Sequence, residues 1–347
     1  NAGVEIRGRA PAVVSLQFQI TVDAEATNGI YLPTRSSMPV ILAGTQVSSF
    51  SGVSFTTIDE LDFAEQDLDG NFVADFIVAT SNTDGSPLTF YVTRSVIAVS
   101  GEEKTQNVAV SSTFVPFREI TLDEKHISAL LSVTDSELNT YYEVTSLSED
   151  TVFLKVKNPD ADAVDVPNHM RVIVAPYRFI RRYDPVTQLT TLRFGSGNAD
   201  VLDDDIVPDP SELSLSLFGK PTVSRFSVDP QALLQTSTLG ISPKDTTLEL
   251  RYRFGGGQDH NVSKDQIQQI DSLSLAFRRN PTPTGSLLAR QTIQVTNPES
   301  AGGGGPALSL EELKGLITSA RKAQRRVVSR EDLLARVYTT PSEFGRV

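Results

Sequence analysis

The chain has 347 residues, 39% hydrophobic and 21% charged, with a net charge of −12. That length and balance suit two or three packed domains and exclude wholesale disorder, while the acidity excludes a general nucleic-acid binder, which needs a basic footprint. Cysteine is absent, which excludes disulfides, zinc–thiolate sites and cysteine nucleophiles, and no apolar run approaches the roughly 18–20 residues that cross a bilayer, so neither nucleic acid nor membrane is an expected partner.

In chain order, the first strong pattern is PAVVSLQFQITV (11–22), where Leu16, Phe18, Ile20 and Val22 alternate with polar residues as in a half-buried strand. IYLPTRSSMPVILAGTQVSSF and GVSFTTIDELDF are short β-rich runs broken by Pro, Gly and Ser. DLDGNFVADFIVAT reads as a turn feeding a strand, and LTFYVTRSVIAVSG as a strand pair. From Phe117 to Asp160, strand-like runs alternate with Asp, Ser and Asn turns. MRVIVAPYRFIRRYDPVTQLTTLRF (170–194) reads as two long strands joined by an Asp-Pro turn. DPQALLQT (229–236) has room for one or two helical turns. TTLELRYRF is an amphipathic strand, with Leu248, Leu250, Tyr252 and Phe254 alternating against Glu249, Arg251 and Arg253.

Behind SLLARQTIQVTNPES the register changes. AGGGGP (301–306) is a flexible linker by composition. Ser309 stands as an N-cap with Glu312 in the capping-box position, and Ser329 repeats the arrangement with Asp332; Val328 and Leu333 are spaced for a hydrophobic staple. Leu310, Leu313, Ile317 and Ala320, then Leu333, Leu334 and Val337, recur at helical spacing. Two such short helices cannot bury a core unaided, so their stripes are expected to pack on a partner chain. Pro306–Val347 holds eight Lys/Arg against five Asp/Glu, a net +3 that leaves −15 on the rest. Arg321, Lys322, Arg325 and Arg326 suit the C-terminal end of the first helix and an acidic neighbour. The expected fold is mainly β, a multi-domain sandwich- or barrel-like body with a C-terminal pair of short α-helices. Its expected divisions are a β domain over 1–116, a second over 117–300, and a glycine-rich linker with a helical assembly segment over 301–347.

Chemistry is sparse. The cluster Asp200, Asp203, Asp204, Asp205 and Asp209 has the charge for calcium or for a hydrolytic carboxylate pair, but reads as a solvated loop. DLDGN (67–71) begins like a calcium loop, yet Val78 occupies the place of the closing glutamate, so it reads as a turn built on Gly70. RFGSGNAD and RFGGGQDHN follow strands without the helix start or Gly-Lys-Ser/Thr of a phosphate cradle, and read as turns where backbone approaches backbone. His126, His169 and His260 share no ligand-spaced motif, and no nucleophile-elbow sequence accompanies them. No catalytic, cofactor-binding or metal-binding residue is assigned; no enzyme and no cofactor are expected.

Three stretches in order carry a resemblance: LAGTQVSSFSGVSFTTIDEL (42–61), the pair TLRFGSGNAD and LRYRFGGGQDHNV, and NPESAGGGGPALSLEELKGLITSARKAQRRVVSREDLLARV. They resemble the baseplate wedge family of contractile-tailed bacteriophages, of T-even and cyanophage type, related to J-like baseplate proteins. Ser329 stands where the family has threonine, and Leu333 where it has tyrosine. The family runs further at both ends, so this chain is expected to be the middle of a longer protein.

The resemblance implies a non-catalytic structural protein of the virion tail baseplate, assembled in the host cytoplasm. It implies that wedges join into a ring around the hub, with a second copy, other wedge proteins, and sheath-proximal and hub proteins as partners. A receptor- or glycan-binding tail protein is the alternative, opposed by the absence of tryptophan; a tail-associated hydrolase using the Asp200–Asp209 cluster is a further one. If the cluster is a solvated loop, replacing Asp203, Asp204 and Asp205 with Asn changes stability by no more than about 0.5 kcal/mol each. Calorimetric melting with and without calcium checks this, and a calcium-dependent rise of several degrees would show a site.

Overall fold

The computed structural model describes residues 8–27, 29–67, 69–158, 166, 168–199, 239–309, 311–312, 314–315, 327, 329–330 and 333. In chain order its elements are β1 (Val13–Thr27), β2 (Ile30–Pro33), β3 (Val40–Ile41), β4 (Gln46–Ser49), β5 (Ser54–Thr57), β6 (Leu61–Asp62), β7 (Asp75–Ser81) and β8 (Pro87–Ser100). Then come β9 (Glu102–Val110), β10 (Glu119–Lys125), β11 (Ile127–Thr134), β12 (Tyr142–Glu143), β13 (Thr151–Lys157), β14 (Asn168–Val174), β15 (Arg178–Tyr183), β16 (Leu189–Phe194) and β17 (Thr246–Phe254). The last are β18 (Ile267–Ser272), β19 (Leu275–Ala276), helix α1 (Pro283–Gln291) and β20 (Gln294–Thr296). The protein is mainly β, as its alternation dictates.

The chain divides into two compact units, one formed by Asn1–Glu102 with Gly255–Val347 and the other by Glu103–Phe254. The second unit is thus an insertion in the first, where the sequence pattern predicts consecutive domains over 1–116, 117–300 and 301–347. The return strands β18 and β20 lie far along the chain from the β4 and β1 that they pair with, and no local pattern announces such pairing.

The first unit is built on one sheet, in the order β18-β4-β5-β8-β1-β2, with β7 also on β8 and β20 also on β1; β19-β3-β6 form a small second sheet. The antiparallel ladder of β1 and β8 runs from Val13↔Val99 to Asp23↔Thr89. Leu16, Phe18, Ile20 and Val22, the predicted inward face, are fully buried with Phe55, Phe63, Ile41 and Val92. LTFYVTRSVIAVSG is one long strand rather than a pair, because all its register partners lie on β1, β5 and β7 and no turn residue interrupts it. The turn at 67–71 forms as expected: Asp67 accepts from the backbone of Asp69 and Asn71, and Gly70 takes φ +83°.

In the second unit the sheets are β10-β16-β15-β12, β11-β17-β9 and the two-stranded β13-β14. Leu248, Leu250 and Tyr252 of β17 are fully buried with Leu122, Phe179 and Phe194. Arg253, expected to face outward, is buried too, paired to Glu103 at 3.1 Å. The stretch 170–194 yields three strands rather than two, because Ala175-Pro176 ends β14 before β15 begins. The Asp184 turn between β15 and β16 is as expected: the carboxylate accepts from Val186 N and Thr187 Oγ1, which hold its pKa below the ordinary value.

One helix with described bounds, α1, stands toward the C-terminal side, not the pair expected behind the glycine run. The cue for α1 is a Thr-Pro start: the Thr282 side chain caps Gly285 N at 3.1 Å and Pro283 takes the first helical position. Both expected helices fall largely outside the described residues; helical backbone is described at 311–312, 314–315, 330 and 333. The helical turns expected at 229–236 and the cluster Asp200–Asp209 also lie outside. In the buried face of β1, Phe18→Ala should cost about 3–5 kcal/mol through lost burial and the cavity left behind. The change in urea midpoint of the first unit's transition measures it.

Candidate assembly site

The two glycine tracts explain each other. Ala10, just before β1, donates its N–H to Gly305 O at 3.0 Å, and its carbonyl accepts from Gly305 N at 3.2 Å and Gly257 N at 3.0 Å. Val13 and Gly302 exchange a second pair of bonds at 2.7 and 3.0 Å. Asn261 closes the other side, its amide donating to Gly304 O at 2.9 Å and accepting from Gly304 N at 2.8 Å. Ala301 N reaches Val262 O at 2.8 Å, and Ala301 and Gly305 are buried. Segment 301–305 is therefore a clasped, strand-like strip, not the flexible linker that its composition predicts. Composition misleads here because glycine serves close approach as well as freedom.

That approach is visible in the space a side chain would need. A Cβ on Gly256, at φ +102°, would lie 2.8 Å from Ala10 O, and one on Gly304 would lie 2.7 Å from Asn261 Oδ1. In the second unit, a Cβ on Gly195 would overlap Gly240 O. Both glycine-rich loops read as backbone contacts are such contacts.

Beneath the clasp, His260 Nδ1 lies 2.9 Å from Ser100 Oγ, and the same hydroxyl accepts from Ala12 N at 2.8 Å. Ser100 is fully buried, so this pair is a structural tie and not an accessible nucleophile. Burial pushes the imidazole pKa below its ordinary 6.5 and nearby Arg9 adds to this, while Asp259 and Glu102 oppose it. The loop entering the clasp is fixed by fully buried Asn297, which donates to Ser263 O and Glu299 O and accepts from Ile267 N, each at 2.9 Å.

From the clasp the chain runs through 306–308 to Ser309, where the predicted capping box forms. Ser309 N donates to Glu312 Oε2 at 2.8 Å, and Glu312 N donates to Ser309 Oγ at 3.3 Å. At Ser329 the carbonyl accepts from Leu333 N at 3.2 Å, as an N-cap carbonyl does, and Leu333 is exposed. The remaining residues assigned to assembly, Leu310, Leu313, Ile317, Ala320, Arg325, Arg326, Leu334 and Val337, lie outside the described residues, as does the cap partner Asp332. Sequence reasoning misses Ala10, Asn261 and the Ser100–His260 pair; Asn261 stands in a noted motif, but its partner is 43 residues away.

Among the described residues no group of three or more His, Asp or Glu could hold a metal ion, and no helix is long and apolar enough to cross a membrane. His126 stands in the bend between β10 and β11, His169 on β14 and His260 in the loop after β17. Compared with protein-family models and with curated proteins, the chain matches none.

Because the folded state favours neutral His260, its contribution to stability is fully present above pH 6.5 and is lost as pH falls through the depressed folded value. Melting temperatures followed from about pH 8 to about pH 5 should fall less steeply for His260→Gln than for the parent chain.

Proposed function

We propose that this chain is a structural, non-enzymatic component of a contractile-tail baseplate wedge, acting in the virion and joining wedges into a ring around the hub. In this reading a β body of sandwich- and barrel-like layers carries the segment behind Ser309, which docks on a second copy or on other wedge, sheath-proximal or hub proteins. One observation carries the reading: two of the three sequence stretches that resemble the wedge family meet at the clasp. The GGGQDHNV stretch supplies Gly256, Gly257, Asn261 and Val262, and the NPESAGGGG stretch supplies Ala301, Gly302, Gly304 and Gly305. Two of the stretches that carry the resemblance meeting in space is what supports this reading. The clasp holds the exit of the chain toward the Ser309 cap, so the assembly segment leaves from a fixed point.

The apolar stripe Leu310, Leu313, Ile317 and Ala320 is the docking face, with Leu333, Leu334 and Val337 continuing it. Arg325 and Arg326 give the charge that meets an acid-rich neighbour. Mixing the chain with neighbouring tail proteins and sizing the products by light scattering tests this. Leu313→Asp or Ile317→Asp should abolish incorporation into the wedge complex while the circular dichroism of the β body stays unchanged. Incorporation that survives both substitutions would overturn the reading.

A further inference from the structure

Segment 301–305 lies in a slot with two walls. One wall is the lead into β1, where Ala10 and Val13 exchange backbone bonds with Gly305 and Gly302. The other is the loop 257–262. There Val262 O accepts from Ala301 N at 2.8 Å, and the Asn261 side chain holds both backbone groups of Gly304. The loop is kept in shape by its own short bonds, His260 N to Gly257 O at 3.2 Å and Val262 N to His260 O at 2.9 Å. His260 therefore stands in the middle of the second wall, and a shift of its backbone carries Asn261 and Val262 with it.

A single buried hydroxyl joins the walls, together with the bond from Gly257 N to Ala10 O at 3.0 Å. Ser100, the last residue of β8, accepts through Oγ from Ala12 N at 2.8 Å and lies 2.9 Å from His260 Nδ1. A hydroxyl carries one proton. Because the Ser100 oxygen already accepts from Ala12, that proton is directed to Nδ1, and the ring nitrogen is the acceptor. The bonds thus run from Ala12 N–H to Ser100 O–H to His260, from one wall to the other, and they require a neutral imidazole. A proton on Nδ1 would meet the hydroxyl proton and reverse the bond, leaving the hydroxyl without its acceptor in a fully buried place.

We propose that this tie is a proton-operated latch: charging His260 parts the walls and frees 301–305, while the β1–β8 ladder stays closed. The ring sits against the backbone of Gly255, where an added Cβ would lie 3.5 Å from Cε1, so the reversed bond is relieved by movement of the loop. The charged groups facing the ring are Asp259 on its own loop, Arg9 ahead of β1 and Glu102 at the start of β9. Burial disfavours the imidazolium most and Arg9 adds to this, while the two carboxylates oppose both. An opened loop hydrates the imidazolium and carries Asp259 with it, so the open form accepts the proton more readily than the closed one. The ladder does not depend on His260, because its register ends at Val13↔Val99, one residue before the tie. The latch acts on the exit of the chain toward Ser309 whatever that segment docks on, and so does not rest on the assembly reading.

Hydrogen–deuterium exchange on the full chain, corrected for the intrinsic pH dependence of amide exchange, tests this. The amides of Ala301, Gly302, Gly304 and Gly305 should lose protection below about pH 6.5. The loss should reach about tenfold per pH unit and level off once the closed-state pKa of His260 is passed. Protection of Leu16, Phe18, Ile20 and Val22 in β1 should stay constant over the same range. In His260→Gln, whose side chain does not titrate, protection at 301–305 should be flat with pH. NMR titration of the imidazole in the parent chain needs no substitution, and its midpoint should fall where the loss of protection levels off. The proposal is overturned if protection at 301–305 is independent of pH, if it falls equally in folded His260→Gln, or if β1 loses protection in step. A His260 midpoint at the ordinary 6.5 overturns it too, and that measurement decides the matter even if His260→Gln fails to fold.

Discussion

The antiparallel ladder between β1 and β8 is the constraint on which the first unit depends. Both strands are long, and nearly every other neighbour in the sheet hangs on one of them: β2 and β20 on β1, β5 and β7 on β8. The inward pairs Val14↔Ala98, Leu16↔Val96, Ile20↔Val92 and Val22↔Phe90 fix the register, because a slip of one residue would turn the whole set to solvent. The exception is Arg94 opposite Phe18; its guanidinium reaches the carbonyl of Asp62 and the carboxylate of Glu65, so the charge is satisfied.

At one end of this ladder the glycine clasp turns a sequence feature normally associated with freedom into a point of fixation. Each bond is an ordinary backbone hydrogen bond, worth about 0.5–1.5 kcal/mol net. What makes the site demanding is steric, since Ala10 O is approached by two segments at once and Gly256 and Gly304 leave no room for a β-carbon. A tether that is clasped up to Gly305 transmits position to whatever follows it, whereas a loose one would only limit reach.

Much of this is legible in the residues. The alternation of Leu16, Phe18, Ile20 and Val22, or of Leu248, Leu250 and Tyr252, declares both the strand and its buried face, because a period of two has one structural solution. The Ser309–Glu312 box is equally legible, since its partners are three residues apart. The Asp67 and Asp184 turns are local too. What is not legible is pairing at long range. Nothing in 301–305 says that Ala10 and Asn261 are its partners. Helix α1 escapes for a different reason: its nine residues are too few to display a period, and the Thr282-Pro283 start is the only clear signal.

The insertion of one unit within the sequence of the other has a consequence for synthesis. A chain emerging from the ribosome releases β1 through β8 first, so the central ladder can zip early, but β18, β20 and the clasp wait for residues beyond 260. All of Glu103–Phe254 emerges in between and has its full complement of strands before the first unit has its own. Since domains generally fold as they become complete during translation, the inserted unit folds first although it comes second. Until residue 305 appears, the β1 edge that will receive β20, and Ala10 and Val13 beyond it, carry unsatisfied backbone groups. The first unit is therefore late to close, and its free edge is open to wrong partners for as long as the insertion takes to make.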